Sequence, residues 1–118
     1  MATALDTATV TIANGASLSG AATITRGFAL VGIEMPAAWT AATITLQVAT
    51  ATGASATFNN VYDTAGELAL SQPAASRFLA LPATLLLGAV QVKVRSGTSG
   101  AAVNQGAARD VKLVFREV

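Results

Sequence analysis

Few residues in this sequence could carry covalent or acid–base chemistry. The carboxylates are Asp6, Glu34, Asp63, Glu67, Asp110 and Glu117, and neither Cys nor His occurs. A thiol nucleophile, a disulfide frame, a Cys/His zinc site and an imidazole base for a Ser-His-Asp triad are therefore all excluded. Asp63 and Glu67 stand out because they flank one turn, Asp63-Thr64-Ala65-Gly66. Two carboxyls held about 5–10 Å apart would suit glycoside hydrolysis. An Asp at the head of such a turn is more simply explained by hydrogen bonds to its own backbone, so an enzyme is not expected. Asn59, Asn60 and Asp63 lack the alternating spacing and distal Glu of a calcium loop, and no metal or cofactor is expected. Ser96-Gly97-Thr98-Ser99-Gly100 is glycine-rich but has neither a following Lys-Ser/Thr nor a helix start, so it cannot cradle phosphate.

The remaining candidates are binding residues. Lys93, Arg95, Arg109, Lys112 and Arg116 all lie near the C-terminus, where Asp110 and Glu117 are the acids. If the strands carrying them pair, Lys93 and Arg95 with Lys112 and Arg116 form a basic facet suited to docking on an acidic protein surface. A nucleic-acid reader would show a larger positive balance than +1 and aromatics interleaved with the cations, so no nucleic acid is expected. Arg26 and Arg77 border strands and read as solubilising edge charges. Trp39, between two strands, could stack on a sugar, although a lone Trp in an aromatic-poor domain is more often a core plug.

These residues must be positioned by strands. Period-two alternation is clear at residues 89–95, where Val90, Val92 and Val94 oppose Gln91, Lys93 and Arg95. It recurs at 110–116, with Val111, Leu113 and Phe115 as the inner row, at 43–48, and at 9–12. Weaker strands are expected at 22–25, 28–35, 58–63, 67–71 and 77–81, with 58–63 and 67–71 forming a hairpin around the Asp63–Gly66 turn. Residues 28–35 are apolar on both faces, which predicts a strand central in the sandwich or, alternatively, at a subunit contact. A short helical turn could form at 82–88. About eight short strands with regular turn signals predict an all-β fold, an antiparallel β-sandwich or jelly roll. The segment 97–108 is long for such a fold, and it is either a binding or docking loop or an idle one.

The chain has 118 residues, which predicts a single domain at 9–118. Hydrophobic residues make up 53% and charged residues 11%, but aromatics only 5%, so the core is built from small side chains and subunit contacts are expected to supplement it. The first cation is Arg26 and Asp6 stands where a signal peptide would be basic, so synthesis in the cytoplasm without a secretory signal is expected. The most apolar stretches, 28–35 and 79–92, are too short or too interrupted to span a membrane by a helix.

In order, Val31-Gly32-Ile33-Glu34-Met35-Pro36-Ala37-Ala38-Trp39-Thr40, Ile44-Thr45-Leu46-Gln47, Tyr62-Asp63 with Gly66, Arg77-Phe78-Leu79-Ala80-Leu81 and Val92-Lys93-Val94-Arg95-Ser96-Gly97-Thr98 resemble small structural proteins of tailed bacteriophages. In size and strand character the chain is similar to capsid cement or decoration proteins. That resemblance implies a virion protein made in the host cytoplasm. It would bind the major capsid protein on the outer capsid surface as a homo-oligomer, with a trimer favoured, and residues 1–8 would form an arm that orders on the shell. The strand, Gly-turn and Arg-Ser-Gly pattern is also similar to discoidin-like carbohydrate-binding jelly rolls. The alternative is thus a virion-surface glycan binder with Trp39 and Tyr62 as stacking residues.

Overall fold

The computed structural model describes residues 4–118. Among these residues eleven strands follow one another: β1 (Leu5–Ile12), β2 (Ala22–Thr23), β3 (Phe28–Glu34), β4 (Ile44–Ala49), β5 (Asn59–Asn60), β6 (Tyr62–Asp63), β7 (Gly66–Glu67), β8 (Ala69–Leu70), β9 (Phe78–Ala80), β10 (Gln91–Ser96) and β11 (Arg109–Glu117). One sheet has the order β1-β11-β3-β9 and the other β2-β10-β4-β5, with β8 also on β4. All these pairings are antiparallel, so the fold is the expected all-β sandwich. A 3-10 turn at Gly53–Ser55 interrupts the strands, and 82–88 forms hydrogen-bonded turns without a helix.

The alternating strands supply the core. Val111, Leu113 and Phe115 of β11 face Val92 and Val94 of β10, with Ile44 and Leu46 from β4 and Val10 and Ile12 from β1 closing the layer. Each large side chain fully withdrawn from water contributes about 1.5–3 kcal/mol, which is the main force holding the two sheets together. β3 runs between β11 and β9, the central position its two-sided apolar character predicted. Its register shifts within the pairing: Val114 opposes Gly32 but Phe115 opposes Leu30, leaving Val31 as an extra residue. This bulge lets both Leu30 and Ile33 reach the core although they are three residues apart.

Two expectations need correction. Residues 5–8 are not an arm, because Leu5–Ile12 pairs along its whole length with β11, from Leu5 opposite Arg116 to Ile12 opposite Arg109. The rest of the predicted arm, residues 1–3, lies outside the described residues. The strands carrying the C-terminal cations also do not pair: β10 belongs to one sheet and β11 to the other. Both strands supply an inner row to the same core, so their polar rows point to opposite outer faces of the sandwich.

Candidate functional site

The expected basic facet is therefore divided. Lys112 and Arg116 lie on the outer face of the β11 sheet, where Lys112 Nζ approaches Glu34 Oε2 at 3.5 Å with both side chains about half exposed. On the opposite outer face, Lys93 Nζ sits 4.2 Å from the centre of the Phe58 ring, a cation–π contact. Arg95 beside it is buried, at 7% exposure, where alternation alone placed it in solvent.

The β6–β7 hairpin covers Arg95. Asn59–Asn60 and Ala69–Leu70 both pair with β4, so the chain between them leaves the sheet and returns as a small flap. From this flap Glu67 Oε2 meets Arg95 Nη1 at 3.3 Å, while Arg95 Nη2 donates to Asn60 Oδ1 at 2.6 Å and Nη1 also to Thr45 Oγ1 at 3.3 Å. Glu67 also accepts the Ser99 N–H, at 3.0 Å to Oε1, which ties the flap to the 97–108 loop. Asp63 accepts the Ala65 N–H at 2.7 Å, the turn role expected of it. Both members of the candidate acid pair thus serve the backbone and an ion pair.

The 97–108 loop is held from within. Gly97 bridges Ala102, and the Val103 N–H returns to the Ser96 carbonyl. Gln105 is 1% exposed and its amide makes four hydrogen bonds: Oε1 accepts from Thr40 N–H and Arg109 Nε, and Nε2 donates to the Thr40 carbonyl and Ser96 Oγ. Arg109 Nη2 adds a bond to Thr40 Oγ1 at 3.2 Å. Arg109 is thereby a clamp between two loops. Sequence reasoning missed Gln105, since a single Gln in a run of Gly, Ala and Asn carries no burial signal.

The two aromatic candidates behave differently. Trp39 is half-buried against the core, with its indole N–H donating to the Ala42 carbonyl at 3.2 Å. Tyr62 is 62% exposed on the hairpin. Phe78, also exposed, lies on the outer face of its sheet, where its ring occupies the space above Gly32. An open groove of about 390 Å3, lined mostly by apolar residues whose backbone adds polar surface, runs between β8 and β9, the neighbouring free edges of the two sheets.

No protein-family model and no curated protein matches the chain. Among solved structures, a chain of the "Cyanophage Pam1 capsid asymmetric unit" is similar at 18% identity and a TM-score of 0.39, covering 98% of this chain and 85% of that one. Among the described residues, no helix is long and apolar enough to cross a membrane.

Proposed function

We propose that the protein is a non-enzymatic structural subunit of a phage virion, a decoration protein that binds the outer surface of the capsid. In this reading it contacts the major capsid protein as a homo-oligomer, a trimer being favoured, and stiffens the shell by bridging neighbouring subunits. The sequence motifs that resemble tailed-phage structural proteins motivate the setting. The observation that carries the reading is how Asp63, Glu67, Arg95 and Arg109 are used: each holds this chain's own turns and loops. Meanwhile an uncharged groove stays open along one side. Such contacts can each be weak and still stabilise a shell, because many copies act together on one lattice.

The test is direct. Purified empty capsids are heated, or indented mechanically, with and without saturating protein. A raised disruption temperature or force supports the proposal; equal resistance with and without the protein rejects it. The glycan-binding alternative retains Tyr62 as an exposed ring, whereas the bonded, half-buried indole of Trp39 weighs against a paired stacking platform. Glycan-array binding that disappears in Tyr62→Ala would favour that alternative.

A further inference from the structure

Half of the backbone of β9 is unused. The Met35 N–H donates to the Arg77 carbonyl and the Leu81 N–H to the Val31 carbonyl, so Arg77, Leu79 and Leu81 are the residues whose main-chain groups face β3. Phe78 and Ala80 therefore turn their N–H and C=O groups the other way. β9 ends its sheet, and no strand among the described residues lies on that side. Beside this edge is the groove, lined by Leu70, Leu79, Leu81, Pro82 and Leu85 among others, with no charged residue in its lining. Alternation puts Arg77 on the same side of β9 as Leu79 and Leu81, just beyond the end of the groove. Its guanidinium donates to the Gln72 carbonyl at 2.9 Å and has no carboxylate partner among the described residues.

We propose that β9 accepts an extended strand from a partner protein. The main chain of that strand pairs with Phe78 and Ala80, its alternate apolar side chains enter the groove, and a carboxylate on it meets Arg77. Three features select this occupant. Donors and acceptors repeating every second residue along an edge are matched by another strand's backbone. An uncharged groove takes apolar side chains at the same two-residue spacing. The cation at its end selects for an acidic partner residue. The edge is short, so a single contact is weak, with a dissociation constant of about 0.1–1 mM. This deepens the reading of the protein as an attachment subunit, but its test uses no capsid, so each can fail without the other.

The probe is a synthetic peptide, acetyl-Asp-Thr-Val-Thr-Val-Thr-Val-amide, which carries its Asp and its Val side chains on one face, titrated into the full chain and followed by amide hydrogen exchange and NMR shifts. Binding should slow exchange at Phe78 and Ala80 by about tenfold near saturation, while β1 amides stay unchanged. Ala80→Pro removes an outward N–H without breaking a bond to β3, so the fold should persist and peptide binding should be lost. A peptide with alternate N-methylated amides gives the same loss without altering the protein, should the proline disturb folding. Arg77→Glu should weaken the Asp peptide about tenfold and favour its Lys counterpart. The proposal is overturned by absence of binding at millimolar peptide, by undiminished binding of the N-methylated peptide, or by protection that maps elsewhere. A concentration-dependent dimer of the chain that Ala80→Pro dissolves also overturns it, because the occupant would then be a second copy.

Discussion

The Gln105 side chain engages both backbone groups of Thr40, as a neighbouring strand would: Oε1 accepts the Thr40 N–H at 2.8 Å and Nε2 donates to the Thr40 carbonyl at 3.0 Å. A backbone segment with no sheet partner is thereby satisfied by an amide 65 residues away in sequence. Because Arg109 and Ser96 use the remaining valences of the same amide, Gln105 fixes two loops against the start of β11.

Gln105→Ala should destabilise the protein by about 2–4 kcal/mol, since it leaves buried polar partners unpaired as well as removing the bonds. Urea denaturation checks the magnitude. Hydrogen exchange checks the location: Thr40 and Gly106 amides should lose protection, whereas the β4–β10 ladder should keep it. A loss under about 0.5 kcal/mol would mean that water replaces the amide.

Arg95 and Glu67, with side-chain exposures of 9% and 13%, form a largely desolvated pair. Glu67→Ala strands a guanidinium that retains only neutral partners and should cost about 2–4 kcal/mol, whereas the double change Arg95→Met with Glu67→Leu should be close to neutral. The exposed Lys112–Glu34 pair provides the contrast, with a coupling of about 1 kcal/mol or less that salt diminishes. Double-mutant cycles at low and high salt measure both.

Arg95 also illustrates what the sequence could and could not convey. Alternation with Val92 and Val94 correctly put its side chain outside the core, but which element lies over that outer face depends on a non-local excursion, the hairpin carrying Glu67. The β10 and β11 patterns were legible as strands, yet similar alternation in both left open which sheet each would join. Along β1 the inward positions nearest the start are Asp6 and Ala8, too weak a signal to distinguish strand from arm. The bulge at Val31 has no local mark either, because it is fixed by the need to seat Leu30 and Ile33 in the same core.

Trp39 should report a protected indole. Its N–H bond to Ala42 and its packing against the core predict blue-shifted emission and weak acrylamide quenching in the native state. Trp39→Ala should cost about 2–3 kcal/mol, with Trp39→Phe recovering most of it. Strong quenching of the folded protein would count against the packed placement.

Gly97 is set by its backbone. Its φ is +89°, and an added Cβ would stand 2.6 Å from the Ala101 carbonyl oxygen and 2.7 Å from the Val103 nitrogen. These are main-chain atoms of a bridged loop, so they have little room to retreat. Gly97→Ala should therefore cost about 3 kcal/mol, with a lowered melting temperature of about 10 °C and faster exchange at Val103.

Gly32 also faces a crowded position, but the obstacle is different in kind and leads to a change of sign. An added Cβ would lie 2.2 Å from Phe78 Cζ, the far end of a side chain that is 57% exposed and free to swing outward. Gly32→Ala should displace the ring at a loss of about 1 kcal/mol, because the stacked contact is given up while the strand gains the lower unfolded entropy of Ala. In a Phe78→Ala background there is no ring to displace, and the same Gly32→Ala substitution should stabilise by about 0.5–1 kcal/mol. The four proteins of this cycle, compared by chemical denaturation, separate the two terms. Equal effects of Gly32→Ala in both backgrounds would mean that the ring does not rest on Gly32 in solution.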